Sequence, residues 1–89
     1  MKAQKKPVII DYIQVETPIN LSEIFEWVTS FGQNFYQHFK YNIHTEEFSV
    51  KTLEGASYSV SSDDVIIRGI KGEYYPCKKD IFEQTYEII

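Results

Sequence analysis

Basic residues are scarce in this chain of 89 residues: nine Lys and Arg stand against thirteen Asp and Glu, for a net charge of −4. A general nucleic-acid binder needs a basic stripe that displaces counterions from phosphates, and this balance argues against one while leaving a local basic patch open. Cysteine is almost absent, and the single Cys77 can close no internal disulfide and has no Cys or His cluster to complete a zinc set. That usage fits a reducing cytoplasm. No apolar run approaches the roughly 20 residues needed to cross a bilayer, and no leader peptide is expected before the first strand-like segment. Glycine (four) and proline (three) are sparse, and there is no low-complexity linker. A single domain over residues 1–89 is expected, because dividing so short a chain leaves neither half a core. At this size burial is limited, which makes a homo-oligomer the natural supplement.

Aromatic residues, by contrast, are plentiful: seven Tyr, six Phe and one Trp. Their distribution predicts an α+β fold, with one helix in the N-terminal half packed on a small, mostly antiparallel sheet and a short C-terminal helical turn. Pro7 to Gln14 is rich in β-branched and aromatic residues and reads as a strand. Asn20 followed by Glu23 resembles a capping box, and Leu21, Ile24, Phe25, Val28 and Phe31 then recur at helical spacing up to Gly32, with Trp27 on the flank of the stripe. Alternation takes over afterwards: Phe35, Gln37 and Phe39, then Phe48 and Val50, Tyr58 and Val60, Val65 and Ile67. Turn-forming residues separate these runs at 42–45, 54–56 and 61–64. Gly69 and Gly72 bracket Ile70-Lys71, which predicts a hairpin of Val65–Ile70 and Glu73–Lys78 with Lys71 at its tip. Asp80 is expected to cap a helical turn carrying Ile81, Phe82 and Thr85, with Tyr86–Ile89 as a candidate last strand.

Chemistry-bearing patterns are few. His38 and His44 have no Cys near them, so no metal site is expected. Cys77 reads either as a small buried residue or as a nucleophile whose thiol Lys78 and Lys79 would acidify. Glu46-Glu47 and Asp63-Asp64 fall in turns, where carboxylates are common for reasons of solvation. No phosphate-binding glycine loop, cofactor motif or catalytic constellation is present, so the chain is not expected to be an enzyme or to hold a cofactor. One stretch is dense in recognition chemistry: Arg68, Lys71, Tyr74, Tyr75, Lys78 and Lys79 lie within twelve positions. Cations beside aromatic planes can hold a base and its phosphates, and the same residues can equally be ordinary cross-strand pairs on a solvated hairpin.

The run from Asp64 to Tyr86, DVIIRGIKGEYYPCKKDIFEQTY, resembles the C-terminal pattern GDWIIRGVKGEFYPCKPDIFEATYE of a family of small, uncharacterised phage and prophage proteins. The opening KKPVIIDYIQ, Lys5 to Gln14, is similar to that family's KKPVVVEAIQ start, whereas residues 16–59 have no counterpart. This chain departs from the pattern at Ser62-Asp63, where Pro-Gly is usual, at Val65, where Trp or Tyr is frequent, and at Lys79, where Pro is common. The resemblance implies a phage protein acting inside a bacterium, and proteins of that kind often work by binding. The expected activity is sequestration, without cleavage, of a nucleotide-derived immune signal of the ADP-ribose type. Arg68, Lys71, Tyr74, Tyr75, Lys78 and Trp27 are the candidate ligand-binding residues. On that expectation Arg68→Ala abolishes capture and leaves the fold intact. The alternative is an interaction module that inhibits a host enzyme or nuclease by direct binding.

Overall fold

The computed structural model describes residues 1–4 and 6–89; Lys5, the first residue of the N-terminal match, lies outside the described residues. The fold is α+β. In chain order the elements are β1 (Asp11–Gln14), α1 (Leu21–Ser30), α2 (Phe35–His38), β2 (Phe39–Tyr41), β3 (Phe48–Lys51), β4 (Ser57–Ser59), β5 (Asp64–Arg68), β6 (Tyr74–Lys78) and α3 (Lys79–Thr85). The strands form two sheets rather than one, in the orders β1-β5-β6 and β2-β3-β4, and every pairing is antiparallel.

Period-two alternation decides what each sheet buries. In the β2-β3-β4 sheet Phe39 lies opposite Val50, Tyr41 opposite Phe48, and Val50 opposite Tyr58. The intervening Lys40, Ser49, Lys51, Ser57 and Ser59 therefore share the outer face. In the β1-β5-β6 sheet both faces are covered. Ile13, Ile66 and Tyr74 look toward the main core, joined there by Ile24 and Val28 of α1 and by Phe35, Phe39, Phe48 and Val50. Val65 and Ile67 look the other way and meet Phe82 of α3, with Ile10, Tyr75, Cys77 and Tyr86 around them. This two-sided burial explains why β5 reads as an uninterrupted apolar run, Val65-Ile66-Ile67.

Several expectations change in detail. Residues Pro7–Ile10 carry no ladder, so the first strand is shorter than its sequence pattern. Asn20 makes no capping bond to α1; its side chain accepts from the Glu16 N–H at 3.0 Å and donates to the Gln14 carbonyl at 2.9 Å, closing the loop between β1 and α1. Phe35–His38 is a helical turn rather than strand, because the Asn34 side chain accepts the Tyr36 N–H at 2.9 Å and starts a helix there. α3 runs for seven residues, longer than one turn, and the chain after it forms no strand. The Thr17–Pro18 peptide is cis.

The α3 face hangs on one ring. Phe82 is 2% exposed, with ring centroids 4.5 Å from Tyr12 and 5.2 Å from Tyr86. Phe82→Ala removes that ring from a confined site and should cost about 3 kcal/mol. It should lower the urea midpoint while leaving the native fluorescence of Trp27, which sits on the opposite side of the sheet, nearly unchanged.

Candidate functional site

The ladder itself separates the predicted residues. Asp64, Ile66, Arg68, Tyr74, Pro76 and Lys78 share one face of the β5-β6 hairpin, and Val65, Ile67, Tyr75 and Cys77 share the other. Adjacent Tyr74 and Tyr75 thus have opposite surroundings.

Tyr74 is fully buried and belongs to the main core. Its ring meets His38 at 5.0 Å, Phe39 at 5.2 Å and Trp27 at 5.6 Å, the last edge to face. Its hydroxyl donates to Gln33 Oε1 at 2.6 Å. The same oxygen accepts from Arg68 Nε at 3.0 Å, while Gln33 Nε2 donates to the Gly72 carbonyl at 2.8 Å. Arg68 also lies over the Phe31 ring, its guanidinium carbon 4.2 Å from the centroid. The Gln33 amide therefore fastens the loop after α1 to both ends of the β5-β6 turn. Trp27, half-buried, packs on Phe31 as well as Tyr74. Arg68, Tyr74 and Trp27 form a structural node, and capture was expected to depend on them. Gln33 went unnoticed in the sequence because a polar residue between Gly32 and Asn34 looks like any loop residue.

Lys78 is engaged elsewhere. Its ammonium lies 3.1 Å from Asp64 Oδ1. Asp64 is nearly buried and also accepts the Ser61 N–H at 2.9 Å, so the pair closes the turn before β5. Asp64 raises the Lys78 pKa, chiefly through that hydrogen bond. Cys77 differs from the acidified thiol considered above. Burial pushes its pKa up, and the fields of Asp64 and Asp80 push it further. Among the described residues no group of His, Cys, Asp and Glu is placed to hold a metal ion.

Lys71 and Tyr75 do come together. They line a groove of about 440 Å³ between the tip of the β5-β6 hairpin and the β3-β4 turn. Its walls are Leu53, Tyr58, Ile70 and Pro76, with Glu54 and Glu73 at its margin; the buried Tyr74 only backs it. The hairpin turn makes this possible. Gly72 adopts φ +77°, which L side chains rarely do, and the Glu73 carboxylate folds over Gly69, where a Cβ would collide with it. Lys71 is exposed at the apex. Tyr75 is half-buried, and burial, the adjacent Tyr86 hydroxyl and the charge of Glu73 push its phenol up to about 12. It is a neutral ring with a polar tip.

Comparisons of the chain with protein-family models, with curated proteins and with solved structures return no match. Among the described residues no helix is long and apolar enough to cross a membrane.

Two outcomes follow from the buried node. Arg68→Ala strips one of two donors from Gln33 and uncovers Phe31, so it should cost about 2 kcal/mol of stability. A double-mutant cycle with Gln33→Ala should show a coupling of about 1 kcal/mol in chemical denaturation. His38 is the second case, since burial lowers its pKa below the ordinary 6.5. Protonation then favours the unfolded chain, so stability is complete above about pH 6.5, falls as pH drops below it, and levels off beneath the folded-state pKa. His38→Gln should flatten that decline in a pH series of denaturation midpoints.

Proposed function

We propose that this protein is a non-catalytic binder that holds a small nucleotide-type ligand in the groove between its two hairpin tips. The observation that carries this reading is the meeting of Lys71 and Tyr58 at one concave, mostly apolar space of about 440 Å³, with Tyr75 also among its lining residues. Small-molecule sites have volumes of roughly 300–1,000 Å³ and combine apolar walls with a few polar groups. A planar base can lie against Tyr58, 47% exposed, whose face is tolerant of base identity. The Lys71 ammonium is a point charge suited to one phosphate, and the Glu54 and Glu73 carboxylates can accept the exocyclic amine of a base. Arg68 and Lys78 are held by Gln33 and Asp64, so Lys71 is the cation of this site. A ligand with two phosphates would leave one of them toward solvent. The resemblance to phage proteins supports sequestration of a bacterial immune signal inside the host cell as the biological use.

A second reading has its own support. Leu53 and Ile70 on the groove rim are 69% and 75% exposed, an apolar pair suited to receiving a side chain of a host protein. The two readings part in one titration. Calorimetry with ADP-ribose should show binding that Lys71→Glu weakens by about tenfold or more without changing the unfolding midpoint. Heating the complex should return ADP-ribose unaltered; an altered product would mark an enzyme. Absence of ADP-ribose binding, with a host protein retained by the wild type and lost in Ile70→Asp, would favour the interaction module.

A further inference from the structure

The four sheet edges of this fold are not equally protected. In the β2-β3-β4 sheet the edge strands β2 and β4 are three residues each. In the other sheet, the bonds Val15 N–H to Asp64 O and Gly69 N–H to Glu73 O set the parity of the ladder. Tyr74, Pro76 and Lys78 then carry the outward backbone groups of β6, and Pro76 has no N–H to offer a neighbour. On β1 the outward positions are even-numbered. Gln14 is occupied, its carbonyl taken by Asn20. Tyr12 is left with outward N–H and C=O groups, and continuing the same alternation back along the chain gives Val8 and Ile10 the same direction; among the described residues none of the three makes a backbone bond there.

Between Lys6-Pro7 and Asp11 this edge carries none of the residues that usually guard one. Natural edges are blunted by charge, proline or bulges, yet Val8-Ile9-Ile10 is a β-branched run. Pro7 falls at an odd position, where its missing N–H costs an outward ladder nothing. Ile9 is 82% exposed although β-branched and apolar. Charge also favours association of like chains: residues 1–6 carry Lys2, Lys5 and Lys6, whereas the remainder carries six cations and thirteen anions. An antiparallel partner brings the basic end of one copy alongside the acidic body of the other.

We propose that the occupant of this edge is a second copy of the chain, paired antiparallel along residues 6–12 about a two-fold axis at Ile9. A two-fold axis normal to a sheet keeps each residue on its own face, so paired residue numbers must sum to an even value. The sum of 18 sets Ile9 against its symmetry mate and Val8 against Ile10, so every apolar residue of the run meets another. Val8 and Ile10 exchange N–H···O bonds, Lys6 lies opposite Tyr12, and Ile9 falls at the closely spaced pair between them. The two sheets become one six-stranded sheet running from β6 of one copy to β6 of the other. This interface involves no residue of the groove and stands or falls independently of it.

Sedimentation equilibrium on the wild-type chain should give twice the 10.5 kDa monomer mass at high concentration. Ile9→Asp and Ile9→Lys should both weaken the dimer, by about tenfold or more, because each sets like charges face to face at the axis. The opposite signs of the two changes exclude an effect of net charge, and Ile43→Asp and Ile43→Lys, on an exposed turn of the other sheet, should leave association unchanged. In a Cys77→Ser background, Ile9→Cys should oxidise to a covalent dimer, since Cα atoms of closely spaced pairs lie about 4.5 Å apart, within disulfide reach. Ile10→Cys, which faces Val8 of the second copy, should not. A wild type that stays monomeric at high concentration, or equal cross-linking of the two cysteine variants, overturns the proposal.

Discussion

The Gln33 side chain is the constraint around which the two halves of this molecule are arranged. An amide has one carbonyl and one NH₂, and here three of its bonds reach Tyr74, Arg68 and the Gly72 backbone. The loop after α1 thereby becomes the clamp of the β5-β6 turn. Without it the Tyr74 hydroxyl would be a buried donor with no acceptor, which costs more than the net worth of the bond itself. The aromatic core depends on the clamp as well. Tyr74 is the ring against which Trp27, His38 and Phe39 pack, so a displaced hydroxyl would shift four rings. The groove at the hairpin tip inherits its shape from that anchorage, because Lys71 and Tyr75 are positioned by a turn whose two ends are both tied down.

Much of this architecture is legible in the residues. The stripe of Ile24 and Val28, the glycines around Ile70-Lys71 and the turn residues at 42–45, 54–56 and 61–64 each correspond to an observed element or break. The misreadings have local causes. Phe35, Gln37 and Phe39 alternate like a strand, but four residues are too few for periodicity to decide between strand and helix, and the Asn34 side chain tips the balance. Pro7–Ile10 has strand composition because composition reports what fits a ladder, and not whether a neighbouring strand extends far enough to provide one. β5 ends at Arg68, opposite Asp11, so among the described residues nothing pairs with those before it.

The candidate site was only partly legible for a more general reason. A dense cluster of cations and rings in sequence says nothing about which face each occupies until the strand is identified and its parity set. Once Tyr74 and Tyr75 are on one strand, one of them must enter the core, and the cross-strand position of Ile66 beside Tyr74 selects which. Arg68 and Lys78 follow Tyr74 onto the inner face and find Gln33 and Asp64 there. The groove residues Leu53 and Tyr58 come from a distant turn, and no local pattern links them to Lys71.

One property of the β1-β5-β6 sheet governs how its two sides respond to change. The main core and the cluster around Phe82 share no buried residue, and the sheet stands between them as a wall. Energetic effects on opposite sides of such a wall are close to additive. A change in the C-terminal helix therefore demands no compensation around Tyr74, and either side of the wall can be loosened or tightened while the other keeps its packing.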